Sequence, residues 1–176
     1  MSTVRNPWPR RVIGLVFAAV VFAADQGLKG WLVNGLQLRE KGVIDLLPIF
    51  DFRFTQNPGV SLGLFTAGSP EGRWALVAMT AAIAGFVFIW LLREKRLFEI
   101  VALGGVLGGA LGNIRDRFTL GYVVDYADLH FGEWRPFLIF NLADVAITLG
   151  VLFILARSLL SRDKPEDVAV DPAPES

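Results

Sequence analysis

The sequence predicts an all-α membrane protein, with four transmembrane helices and a small extracytoplasmic β-containing segment. Three observations carry that prediction. Hydrophobic residues make up 53% of the 176 residues, and the mean hydropathy is +0.50, whereas a soluble domain is roughly 45–50% apolar. The apolar residues fall into four blocks, each long enough to cross a bilayer. Basic residues collect on one side of those blocks, as the positive-inside rule requires of a polytopic protein.

The first span covers residues 12–33. Val12 to Ala24 carries no polar side chain, and Asp25, Gln26 and Lys29 follow before the block ends at Val33. At 1.5 Å per residue this reaches roughly 33 Å. A cleaved signal peptide has similar flanks, with Arg5, Arg10 and Arg11 preceding the apolar stretch. The later spans favour a first transmembrane helix instead. The second span, residues 74–92, has no charge. The third, residues 97–117, has Glu99 near its start and glycines at 104, 105, 108, 109 and 112. Glycines one turn apart let a neighbouring helix approach closely. The fourth, residues 137–157, is interrupted by Asn141 and Asp144.

With four spans, both termini share a side with Arg93, Lys95 and Arg96, and that side is the cytoplasm. The opposite side receives residues 34–72 and 118–136. In the first of these, Val43–Leu47 and Phe50–Thr55 read as short strands bounded by turn residues. Residues 1–160 then form one membrane-embedded domain. Residues 161–176, acidic and proline-containing, read as a disordered cytoplasmic tail.

Composition removes several chemistries. A net charge of zero gives no footprint for nucleic acid. Without cysteine there is no disulfide, thiolate nucleophile or cysteine-ligated zinc. A single histidine, His130, excludes a multi-histidine metal cluster within the chain. No metal or other cofactor is expected.

Ionisable groups inside spans are costly in lipid and mark function. Asp25 and Lys29, at i, i+4 spacing, can form an ion pair. Asn113, Asp116 and Arg117 share one face of the third helix. Asn141 and Asp144 share a face of the fourth. Counted from Phe137, Asp144 lies roughly 10 Å along that helix. Its neighbours Leu142, Ala143, Val145, Ala146 and Ile147 offer no water-facing side, so the carboxyl must be protonated or paired. Asp125, in an apolar stretch just before this helix, is the best partner. Two close carboxyl groups share a proton, and such a pair can activate water and polarise a carbonyl together, as aspartic proteases do. A proton relay in a transporter uses the same residue types, with Asp25, Asp125 and Asp144 in series. Ser61, flanked by Gly59 and Gly63, admits a serine mechanism with Lys29 or His130 as partner. It also fits an ordinary turn residue.

Five blocks in order resemble the lipoprotein signal peptidase (signal peptidase II) family, the bacterial membrane aspartic proteases. They are Asp25-Gln26-x-x-Lys29, Asn57-Pro58-Gly59, Gly108-Gly109-Ala110-Leu111-Gly112-Asn113-x-x-Asp116-Arg117, Val123-Val124-Asp125-Tyr126 and Phe140-Asn141-x-Ala143-Asp144. The resemblance implies that Asp125 and Asp144 are the catalytic dyad. It implies that Asn57, Gly59, Asn113, Arg117, Asn141 and Ala143 line or support the site, and that Asp25 and Lys29 brace it. The implied substrate is a diacylglyceryl-modified prolipoprotein, met in membrane lipid and cut on the amino side of the lipidated cysteine. The implied location is the bacterial inner membrane, with the site facing the periplasm, and the cyclic peptide globomycin is an expected inhibitor. The chain departs from the family pattern at Val60-Ser61-Leu62 and at Arg115, where an apolar residue is more usual.

Overall fold

The computed structural model describes residues 8–59 and 70–160. Helix α1 (Trp8–Gly30) continues through a π-helical turn, Trp31–Gly35, and a one-turn α2 (Leu38–Lys41) follows. Strands β1 (Val43–Leu47) and β2 (Phe50–Asn57) form an antiparallel hairpin. Helices α3 (Pro70–Arg93) and α4 (Leu97–Thr119) are joined by a tight turn; β3 (Val123–Leu129) and α5 (Leu142–Leu160) complete the chain. Among the described residues, four helices are long and apolar enough to cross a membrane: Trp8–Gly35, α3, α4 and α5. With the three-stranded antiparallel sheet, ordered β1-β2-β3, this is the fold class expected from the sequence.

Helix α4 is the axis of the bundle, packing against α1, α3 and α5. Its glycines explain how. Gly104 and Gly108 lie on the carbonyls of Gly14 and Ala18 in α1, and a Cβ on Gly109 would sit 2.5 Å from the Ala143 carbonyl oxygen in α5. Backbones this close gain dispersion contacts and leave no room for a methyl group. Ile100, Leu103, Val106 and Leu107 fill the core around them with Ala84, Val87 and Leu91 of α3. The outer faces of α1, α3 and α5 expose Val16, Val20, Ile83, Phe86, Leu149 and Leu155, an apolar surface suited to lipid. The sheet closes one end of the bundle over a second core of Leu32, Leu38, Tyr126 and Ala127, packed by Phe50, Phe52, Phe54 and Phe140.

One element differs from the sequence reading in a way that matters. The fourth helix begins at Leu142, so residues 137–141 lie outside it. Phe140 instead exchanges backbone hydrogen bonds with Ala127 of β3. Asp144 therefore stands in the first turn of α5, at the mouth of the bundle, and not 10 Å down its length. The stretch around Asp125 is β3, a buried strand at one end of the sheet order. The tail 161–176 and the segment around Ser61 lie outside the described residues.

Candidate active site

The first turn of a helix leaves its N–H groups without intrahelical acceptors, and the start of α5 is built around that need. Leu142 N donates to Tyr126 Oη (3.0 Å), Ala143 N to Asp25 Oδ1 (3.1 Å) and Asp144 N to Asn141 Oδ1 (2.9 Å). In return Asn141 N donates to Asp144 Oδ2 (3.2 Å). Asn141 and Asp144 thus form a reciprocal capping box, which holds the Asp144 carboxylate against the helix end. That acid also sits where the helix dipole favours negative charge.

Asp125 comes from β3. Asn57, at the end of β2, pairs with Val123 and is Asp125's diagonal neighbour across the ladder. Its Nδ2 donates to Asp125 Oδ2 (2.9 Å), while its Oδ1 is engaged by Gly59 N (2.9 Å). Asn141 Nδ2 donates to the other Asp125 oxygen at 2.6 Å. Asn141 therefore touches both acids, one through its amide and one through its cap. Asn113 on α4 completes the set: its Nδ2 donates to Asp144 Oδ1 (2.9 Å), and its Oδ1 accepts from Asn141 Nδ2 (3.2 Å). In each asparagine the oxygen is occupied by an N–H donor, so the amide hydrogens are turned toward a carboxylate. Asp125, Asn113 and Asn141 are buried, whereas Asp144 is half-buried. Burial is the main force raising the Asp125 carboxyl, to about 6. Asp144 adds to it, and the Asn57 and Asn141 hydrogen bonds pull the other way.

Beneath the acids lies a buried charge cluster. Lys29 Nζ is 2.8 Å from Asp25 Oδ2 and 2.8 Å from Asp116 Oδ2, and reaches Asn113 Oδ1 at 3.4 Å. Both carboxylates also hold backbone beside the two acids. Asp25 holds the N–H of Ala143, one residue before Asp144. Asp116 Oδ2 holds the N–H of Val124 (3.2 Å), one residue before Asp125. Gln26 Nε2 ties the pair together, at 3.0 Å from Asp25 Oδ2 and 3.0 Å from Asp116 Oδ1. Arg115 donates to Gln26 Oε1, which fixes the amide in that orientation. This accounts for the arginine where the family pattern is apolar.

Arg117 leaves the same face of α4 toward the dyad. Its Nε is shut from solvent with no hydrogen-bond partner among the described residues, and its guanidinium lies against Gly59. Gly59 adopts φ +90°, a backbone region open mainly to glycine. The sequence-predicted residues Asp25, Lys29, Asn57, Gly59, Asn113, Arg117, Asn141, Ala143 and Asp144 thus converge with Asp125 on one end of the bundle. Of the two serine-mechanism partners, Lys29 is committed elsewhere, its three N–H donors all having acceptors. His130 Nε2 lies 2.9 Å from Asp51 Oδ2.

Sequence reasoning did not place Tyr126, Gln26 or Asp116 in the site. The Asn-x-x-Asp spacing at Asn141 was a readable capping-box signal that the apolar run Phe137–Phe140 before it concealed.

Comparison with known proteins identifies the family. The family model described as signal peptidase (SPase) II matches residues 17–160. A lipoprotein signal peptidase of Rhizorhabdus wittichii is 50% identical over 87% of this chain and 89% of its own length. One of Sphingopyxis alaskensis is 47% identical over 98% and 99%. Among solved structures, a bacterial membrane enzyme determined by the in meso method at 2.3 Å superposes with a TM-score of 0.69 and 27% identity, over 88% of this chain and 92% of that one. With its four apolar helices and a match across nearly the whole bundle, the chain belongs to the signal peptidase II family of membrane peptidases.

Proposed function

We propose that this protein is an aspartyl endopeptidase that removes the signal peptide from diacylglyceryl-modified prolipoproteins, cleaving on the amino side of the lipidated cysteine. The observation that carries the reading is Asn141, which bridges Asp125 and Asp144 and so holds two carboxyl groups over one reacting position. The ionised member takes a proton from water as its oxygen attacks the scissile carbonyl carbon. The protonated member gives its proton to the carbonyl oxygen. As the tetrahedral intermediate collapses, a proton passes to the leaving amine and the dyad returns to sharing one. Arg117, unpaired at its Nε and facing both acids, suits a substrate carbonyl on the flank. Asn57 and Gly59 shape the site beside it.

Residues 1–160 act as one peptidase domain in the bacterial inner membrane. The basic end of the bundle, with Arg10, Arg11, Arg93, Lys95, Arg96 and Arg157, lies in the cytoplasm, as do both termini, and the dyad faces the periplasm. A diacylglyceryl group then remains in membrane lipid while its peptide reaches the acids. A cyclic peptide such as globomycin, presenting a backbone to the same groups, would compete with substrate.

The test is cleavage of a diacylglyceryl-modified prolipoprotein peptide by purified protein. Asp125→Asn and Asp144→Asn are each expected to lose about a thousandfold in turnover, and Ser61→Ala to keep it. Full activity in both asparagine variants would remove the dyad. Loss in Ser61→Ala alone would replace it with a serine mechanism.

A further inference from the structure

The end of the bundle away from the dyad holds a second cluster of charges that the peptidase reaction does not use. Helices α3 and α5 both pack on α4 but scarcely on each other. Where they part, a cleft of about 320 Å³ opens, lined by Trp90, Glu94, Arg96, Glu99, Ile154 and Arg157, with Ser158 at its rim. Glu99 is buried among the lining residues, at the end of α4 where the neighbouring buried residues Ile100, Leu103 and Gly104 are apolar or glycine. Its Oε1 accepts from Arg157 Nε (3.3 Å) and Nη2 (3.2 Å) and from Arg96 Nη1 (3.5 Å). Its Oε2, shut from solvent, has no hydrogen-bond partner among the described residues. A buried carboxylate oxygen without a donor is costly. Glu99 lines the cleft, so a group that fills it lies beside this carboxylate.

The two arginines are not exhausted by Glu99. Arg157 Nη1, and Arg96 Nε and Nη2, have no acceptor among the described residues. Both guanidiniums are partly exposed, while the acid they grip is not. They flank the start of α4, whose first N–H groups add partial positive charge. The cleft therefore presents spare cationic donors at its mouth and an unmet acceptor in its lining. Glu94, whose Oε1 is held by the Lys95 and Arg96 N–H groups (2.7 and 3.0 Å), adds a second carboxylate on the α3 side. Two guanidiniums and two carboxylates balance in charge. The complementary ligand is a zwitterion that joins a phosphate to a group rich in N–H donors. The apolar walls, Trp90 and Ile154, continue into the lipid-facing surface of α3 and α5, which suits a molecule with acyl chains.

We propose that this cleft binds the headgroup of a phosphoethanolamine lipid, its phosphate on Arg96 and Arg157 and its primary ammonium between Glu94 and Glu99. Charge-assisted hydrogen bonds to carboxylate and guanidinium give such a site its selectivity. A trimethylated headgroup has the same charge and no N–H donor, so it cannot satisfy Glu99.

The experiment is native mass spectrometry of the full-length protein in detergent, titrated with lipids of identical chains. These are phosphatidylethanolamine, its mono- and dimethyl forms, phosphatidylcholine and phosphatidylglycerol. Retention should fall stepwise with methylation, by about tenfold from the primary amine to the trimethyl form. Glu99→Gln should abolish that gradient, and Arg157→Gln should weaken all phospholipids together. The wild-type methylation series stands even where a variant fails to fold. Equal retention of phosphatidylethanolamine and phosphatidylcholine would overturn the proposal. Retention of phosphatidylglycerol as strong as the primary amine's, unchanged by Glu99→Gln, would reduce the cleft to an anion site and overturn it as well. An equal thermal shift from soluble phosphoethanolamine, which lacks chains, would overturn the assignment to a lipid.

Discussion

Lys29 is the residue whose removal tests the architecture of the site most directly. Replacing it with methionine keeps the length of the side chain and deletes the one cation between Asp25 and Asp116, each 2.8 Å away and almost without solvent. Removing one partner of a buried pair costs about 3–5 kcal/mol, because the partner charge stays behind uncompensated. Here two carboxylates are left facing each other, with Gln26 as their remaining shared donor. Lys29→Met is therefore expected to lose about 4 kcal/mol or more in an SDS-unfolding titration in micelles. The stranded acids also hold the N–H groups of Ala143 and Val124, so both dyad acids should shift together. A misplacement of about 1 Å costs roughly a hundredfold in turnover. Neutralising one acid in the same background, as Lys29→Met/Asp116→Asn, removes the repulsion and should recover about half the lost stability. A single variant that loses under about 1 kcal/mol, or a double variant no more stable than the single one, would refute the brace.

Three further outcomes follow from the same geometry. Asn141→Ala removes the cap of α5 and a donor to Asp125. It should cost about 1–2 kcal/mol in unfolding titrations and about a hundredfold or more in turnover. The Asp125 carboxyl is raised from 3.8 to about 6, so the folded protein holds this proton more tightly than the unfolded chain does. That contribution to stability is complete below pH 4 and is lost as pH rises through about 6, on the order of 3 kcal/mol in all. Stability of the wild type measured from pH 4 to 7 should therefore fall relative to Asp125→Asn, and a constant difference would contradict the shift. Gly112→Ala would place a Cβ 2.6 Å from Asp25 Oδ2. It should cost about 1–3 kcal/mol by circular-dichroism melting and reduce turnover with it.

Much of the fold could be read from the sequence because lipid imposes a simple rule: spans must be apolar and long enough. The four blocks satisfied it, and the glycines of the third predicted the close approach of a neighbouring helix. The pairing of Asp125 with Asp144 followed from cost, since an acid among Leu142, Ala143 and Val145 needed a partner. The start of α5 was harder to see. Phe137–Phe140 is as apolar as any helix, and hydropathy alone cannot tell a strand-like segment beneath a sheet from another helical turn. What ends that segment is hydrogen bonding to Ala127, a contact distant in sequence. The roles of Gln26 and Arg115 were hidden for a related reason. Each acts on a partner nearly ninety positions away, and no local pattern records that.

The capping box also changes how the acid in the fourth span should be understood. An acid deep in a helix is a cost that some partner must offset. An acid in the first turn accepts from the Asn141 N–H and takes part in the helix cap. Asp125 is buried in a strand and raised toward neutrality. Two carboxyl groups whose surroundings differ divide their roles more readily than two equivalent ones. We propose that Asp125, the buried member, holds the shared proton at rest, rather than Asp144. A pH–rate profile in Asn57→Ala distinguishes the two assignments. Losing the Asn57 donor should raise the Asp125 carboxyl further and move the alkaline limb upward. A shift of the acidic limb alone would give the proton to Asp144.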